Sequence, residues 1–129
     1  MENDNIDVLK KVEIFRDLND EALEQISEYL EEVNIKRQHG IIKKGGPGDA
    51  MYIIVEGQVR IHDGNHVLSR LSNFDVFGEY ALIDDANRSA SVTAEKNTKL
   101  LKLYRKDFET LISKHVFLTQ AILKVLIQR

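Results

Sequence analysis

All seven glycines of this 129-residue chain fall between positions 40 and 78: Gly40, Gly45, Gly46, Gly48, Gly57, Gly64 and Gly78. Glycine is costly inside helices and useful where a tight turn needs positive φ. Its confinement to the middle divides the chain into helical flanks around a centre of strands and turns. In the first flank, Val8, Leu9, Val12 and Phe15, then Leu23, Ile26 and Leu30, recur at helical spacing. Asn19 precedes Asp20 and Glu21 as an N-cap before acids of a first turn, which predicts helices near 6–14 and 20–31. The last flank repeats the pattern with Phe108, Leu111 and Ile112, then Leu118, Ile122, Val125 and Leu126.

The centre alternates. Val33–Ile35, Ile41-Ile42, Met51–Val55, Gln58–His62, Val67–Leu71, Ala90–Ala94 and Leu100–Tyr104 read as short strands, with Asp63-Gly64 at a hairpin tip. Many short strands with glycine turns imply an antiparallel barrel, roll or jelly roll. The fold class is thus mainly β with flanking helices (α+β), in one domain, since this length supports a single ordinary core.

Composition narrows the chemistry. With no cysteine, the chain has no disulfide, thiolate metal site or cysteine nucleophile. No apolar stretch approaches the ~20 residues of a bilayer span, and the acidic start is unlike a signal peptide, so a cytoplasmic location without membrane contact is expected. Eleven acids face three bases in residues 1–35, leaving fifteen bases against ten acids beyond. An acidic whole without a basic run argues against direct nucleic-acid binding. The later excess of bases suits a small anion.

The stretch richest in chemistry runs from Phe77 to Val92, FGEYALIDDANRSASV. Gly78 permits close backbone approach, and Glu79–Ile83 can form one helical turn whose first amides point outward toward an anion. Arg88 offers a two-pronged donor to phosphate, and Ser89 adds a hydroxyl. Glu79 offers only acceptors, which suits a sugar hydroxyl. Together they describe a sugar-phosphate site.

Phe77-Gly78-Glu79, Ala81-Leu82 and Arg88-Ser89-Ala90-Ser91 resemble, in type and spacing, the phosphate-binding cassette of the cyclic nucleotide-binding domain family. The turn Gly45–Gly48 before Asp49–Gly57, and the frame of Phe15–Leu18 and Asp107–Ile112, extend the resemblance over nearly the whole chain. The resemblance implies a β-roll of about eight strands, framed by two N-terminal helices and the C-terminal B and C helices. In its terms residues 6–32 are the N-terminal helices, 33–104 the roll with its cassette at 77–92, and 105–129 the hinge and lid. It implies that Arg88 pairs with the cyclic phosphate and Glu79 accepts from the ribose 2′-hydroxyl. The amides of Ala81 and Ser89 hold the phosphate, with Gly78, Tyr80 and Ala90 completing the ligand-binding set. It also implies a population shift in which the Glu79–Ile83 turn moves inward, frees a hinge around Phe108–Ile112 and lets the last helix cover the base. The lid residue of many family members would lie a little beyond Arg129.

The sequence departs from the family pattern at a few points. Phe74 stands where a glycine is usual, so Asn73 is expected to supply any positive φ and Phe74 to cover the pocket. Asn87 replaces a proline, and Tyr80 occupies a variable position. Ser89 follows the arginine, which favours cAMP as ligand and leaves cGMP open.

The other motifs carry less. His62 and His66 face each other across a hairpin in this reading, but two histidines lack the third ligand of a metal centre. No metal, cofactor, catalytic residue or enzymatic activity is expected. Asp84-Asp85 reads as a solvated turn, and Tyr29, Tyr52 and Phe77 as core. The stripe of Leu118, Ile122, Val125 and Leu126, widened by Leu123 and Ile127, exceeds what one face against the roll needs, so it is either buried within the domain or pairs with a second copy of the chain or an effector protein. The alternative to a cyclic nucleotide sensor is a domain of the same fold without ligand, docking partners through that helix.

Overall fold

The computed structural model describes residues 4–84, 86–116, 118–120, 123 and 127. Helices α1 (Asp4–Leu9) and α2 (Asp20–Ser27) precede eight strands among these residues. The strands are β1 (Glu31–Ile35), β2 (Gly40–Ile42), β3 (Ala50–Glu56), β4 (Gln58–Asp63), β5 (His66–Ser72), β6 (Val76–Phe77), β7 (Ser91–Ala94) and β8 (Thr98–Tyr104). A 3-10 turn, Glu79–Leu82, lies between β6 and β7, and α3 (Arg105–Lys114) follows β8. Two antiparallel four-stranded sheets, ordered β1-β8-β3-β6 and β2-β7-β4-β5, form the β-roll.

The unbroken apolar run of β3 is explained by burial on both faces. Met51 and Ile53 join Leu101 and Leu103 of β8 in a core beneath the helices, with Leu9, Leu23, Ile26, Phe108 and Leu111. Tyr52, Ile54 and Leu100 point the other way, into the interior of the roll with Val59, Phe77 and Val92. A strand covered on two sides has no reason to alternate polar with apolar residues.

Asn19 caps α2 as expected, its Oδ1 accepting from Ala22 N at 2.8 Å. Both N-terminal helices are shorter than predicted. After Leu9 the chain continues in turns, such as Val12 N to Leu9 O and Phe15 N to Val12 O, which bring Val12, Ile14 and Phe15 all to the core. One helix face cannot present positions 12 and 14 together. Helix α2 stops at Ser27 because Glu31 already pairs with Lys102 of β8.

Strand β6 was not anticipated. It spans two residues and is held by pairing with Tyr52 and Ile53, too short to leave a periodic signal. At the hairpin tip, Asp63 pairs with His66 and His62 with Val67, with a register shift after Ile61. The two histidines therefore do not face one another. His62 instead places Nδ1 2.9 Å from Gly64 O and Nε2 2.8 Å from Thr93 Oγ1.

Two further expectations, both on the turn before β6, are corrected. Phe74 itself takes the positive φ (72°), and Asn73 Oδ1 accepts from Gly57 N. Phe74 does not cover the pocket: Lys11 Nζ lies 4.9 Å from the centre of its ring, tying the loop to the N-terminal segment. Phe108–Ile112 lies in mid-helix, with Phe108 and Leu111 buried, and the helix is interrupted at His115 (φ −134°, ψ 85°). Beyond that break Leu118 is buried, whereas Leu123 and Ile127 are 52% and 82% exposed. Ile122, Val125 and Leu126 of the proposed stripe, like Asp85, lie outside the described residues.

Candidate functional site

The second sheet and the segment between β6 and β7 enclose a cavity of about 550 Å³. Ile42, Ile61, Leu71 and Val92 make an apolar wall from the sheet, while Glu79, Arg88 and Ser89 make the opposite wall polar. All seven predicted ligand-binding residues, Gly78, Glu79, Tyr80, Ala81, Arg88, Ser89 and Ala90, border it.

The polar wall is shaped by its flanks. Phe77 is anchored by stacking on Tyr52, ring centres 5.1 Å apart, and the chain then turns through the left-handed region at Gly78 (φ 76°). It winds at once into the 3-10 turn, pinned by buried Ala81 and Leu82, with Tyr80 77% exposed at the cavity rim. A Cβ on Gly78 would lie 2.9 Å from Arg88 Nη1 and 3.1 Å from Ala50 O. The absence of that Cβ is what lets Arg88 lie against the turn.

Arg88 is held by main-chain carbonyls. Nη2 donates to Ala50 O at 2.6 Å and Nη1 to Gly78 O at 3.3 Å, and among the ion pairs of the described residues none joins it to Glu79. Its own main chain is clipped to the glycine turn, with Gly45 N donating to Arg88 O and Arg88 N to Gly46 O, each at 2.8 Å. Gly48 is buried against this segment, where a Cβ would lie 3.1 Å from Ala86 O and 3.5 Å from Arg88 Nε. Both glycine-bearing blocks of the sequence thus converge on one arginine.

One predicted donor is occupied. Ala81 N–H closes the 3-10 turn onto Gly78 O at 3.1 Å, so in this conformation it is turned inward. The apolar walls were also missed as site residues, because Ile42, Ile61 and Leu71 read simply as strand. Ala50 gave no signal at all, since it acts through its carbonyl. Chemically, a fixed guanidinium and a carboxylate at one end and aliphatic walls at the other suit a ligand that joins an anionic group and hydroxyls to a less polar body.

A fold of two four-stranded sheets carrying a cassette of this form between β6 and β7 defines a class of small-ligand binding domain. The family profile of the cyclic nucleotide-binding domain matches residues 32–115, and the chain belongs to that family, a binding domain rather than a catalytic one. The chain is 39% identical over 111 residues to the cAMP-dependent protein kinase regulatory subunit of Dictyostelium discoideum, covering 80% of this chain and 34% of that protein. It is 36% identical over 115 residues to a cGMP-dependent protein kinase, isozyme 2, of Drosophila melanogaster, covering 83% of this chain and 12% of the kinase. Among solved structures, the N-terminal domain of a transcriptional regulator from Streptomyces coelicolor A3(2) superposes with a TM-score of 0.87 at 28% identity, covering 95% of this chain and 89% of that one. The chain thus spans a minor part of these curated relatives. Among the described residues no helix is long and apolar enough to cross a membrane.

Proposed function

We propose that residues 1–129 form one sensing domain that binds a cyclic nucleotide, cAMP in preference to cGMP, and passes occupancy to its C-terminal helix. The observation that carries this reading is the placement of Arg88. Its guanidinium is fixed at the polar end of the cavity by Ala50 O and Gly78 O, with Glu79 on the same turn and aliphatic walls beyond. In this reading Arg88 meets the cyclic phosphate, Glu79 accepts from the ribose 2′-hydroxyl, and the base lies along Ile61 and Leu71. Ser89, Ala90, Gly78 and Tyr80 complete the contact, and Ala81 N–H exchanges its bond to Gly78 O for the phosphate. The Dictyostelium relative, a cAMP-dependent protein, supports the choice of base. Output would pass to a second copy of the chain or an effector protein.

Titration calorimetry and thermal unfolding with cAMP and cGMP test the reading. Ligand at a hundred times its Kd stabilises by about 2.7 kcal/mol. Arg88→Ala is expected to weaken binding by about a hundredfold or more, as truncating one member of a buried charge pair does. The 2′-deoxy analogue should bind more weakly than cAMP. No heat and no thermal shift with either nucleotide would overturn the binding reading and leave a ligand-free docking domain.

A further inference from the structure

Arg105 opens α3, where its charge opposes the helix dipole, since cations are favoured at the other end. What it gains there is a set of contacts between elements. Its main-chain N donates to Asp49 O at 2.8 Å, and Nη1 donates to Gly48 O at 2.9 Å and to Ala81 O at 3.3 Å. Nε lies 3.7 Å from Glu109 Oε1, one turn along the same helix. The next carbonyl in the series, Ala50 O, is taken by Arg88. Three successive carbonyls, at 48, 49 and 50, are therefore gripped by two arginines, one from the cassette and one from α3. The segment between them has no slack, because Gly48 is buried against Ala86 O and Ala81 Cβ.

We infer that Arg105 is the positioning residue that ties the cassette to α3, acting through the Gly48–Ala50 carbonyls and through Ala81 O. A shift of Arg88 toward a bound anion loosens its hold on Ala50 O. A shift of the 3-10 turn pulls on Ala81 O. Both displacements reach the same guanidinium, at the first residue of the helix. Arg105 does not line the cavity. The ligand arm of this inference rests on the proposed cyclic nucleotide binding.

The test is amide hydrogen exchange on the full chain, with residues 78–90 and 105–114 followed separately. Arg105→Met is expected to bind cAMP within about threefold of wild type and to keep the ligand-induced protection of 78–90, while the change in 105–114 falls by at least about half. Arg105→Lys keeps the charge but not the fork, and is expected to fall between the two. It also serves as the folded variant if Arg105→Met does not fold. An unchanged ligand response of 105–114 in these variants overturns the inference, as does loss of cAMP binding in Arg105→Met. A second arm needs no ligand. Arg88→Met is expected to speed exchange in 105–114 about fivefold when Arg105 is present and to have no further effect when Arg105 is methionine. Additive effects overturn the coupling whatever the nucleotide result. If wild type binds neither nucleotide while this second arm is non-additive, the binding reading fails and the coupling stands.

Discussion

Gly78→Ala separates a structural role for the cassette turn from a binding role, because a matched control exists in the same chain. Gly78 and Gly64 both sit in the left-handed region, at φ 76° and 58°. An alanine forced there costs about 1–2 kcal/mol. At Gly64 nothing lies within 4 Å of an added Cβ, so Gly64→Ala should cost that strain and nothing else. At Gly78 the same atom would meet Arg88 Nη1 at 2.9 Å and Ala50 O at 3.1 Å. The guanidinium is the end of a flexible chain and can withdraw, whereas the carbonyl belongs to β3 and yields only a few tenths of an ångström. Arg88 is therefore the group that moves, losing its 3.3 Å bond to Gly78 O and disturbing the 2.6 Å bond to Ala50 O. That loss adds about 1 kcal/mol, given the partial exposure of Arg88. With about 4 °C per kcal/mol for a domain of this size, Gly64→Ala should lower Tm by about 4–8 °C and Gly78→Ala by about 8–12 °C. The sharper contrast is in binding: cAMP affinity should fall about 10- to 100-fold in Gly78→Ala and stay unchanged in Gly64→Ala. Thermal unfolding and calorimetry on the two purified variants read both quantities. Equal Tm losses together with wild-type affinity in Gly78→Ala would refute the steric argument that the turn positions Arg88.

Two predictions concern the frame around the site. Asn19→Ala removes the side chain that caps α2 and should cost about 1 kcal/mol in denaturant unfolding, with cAMP affinity unchanged; a loss below about 0.3 kcal/mol would mean the cap does not hold the helix. Asp63 Oδ2 accepts from Lys44 Nζ at 2.8 Å, and that hydrogen bond and the lysine charge hold the carboxyl below its usual range. A carboxylate lowered in the folded state stabilises above its unfolded value and loses that contribution as pH falls through the folded value. The Tm gap between wild type and Asp63→Asn should therefore be present at neutral pH and narrow progressively as pH falls below about 4. A gap that does not narrow between pH 7 and pH 2.5 would exclude the ion pair as its source.

Much of the site was legible because its chemistry depends on residue types at short spacing. Gly78, Glu79, Arg88 and Ser89 lie within a dozen positions of one another, and all border the cavity. The N-cap at Asn19 was equally local. Long-range partners left no such trace. Ala50 holds Arg88 through a carbonyl that every residue possesses, and β6 exists only because β3 is there to pair with it. Arg105 did carry a signal, a cation at the wrong end of a helix, but its meaning appears only when Gly48 O and Ala81 O are seen beside it.

The same division applies to the whole molecule. By itself, the sequence determined the order of helices, roll and helices and the identity of the charged groups in the cassette, because glycine placement, periodicity and short motifs act within a few residues. Only the tertiary structure decided where the helices stop, which residue of the Asn73-Phe74 turn bears the positive φ, and that His62 and His66 do not meet. Those outcomes depend on strand register and on competition for the two cores, which are set by residues far apart in the chain. Register also decided the most consequential point, that the carbonyls of residues 48–50 lie between Arg88 and Arg105.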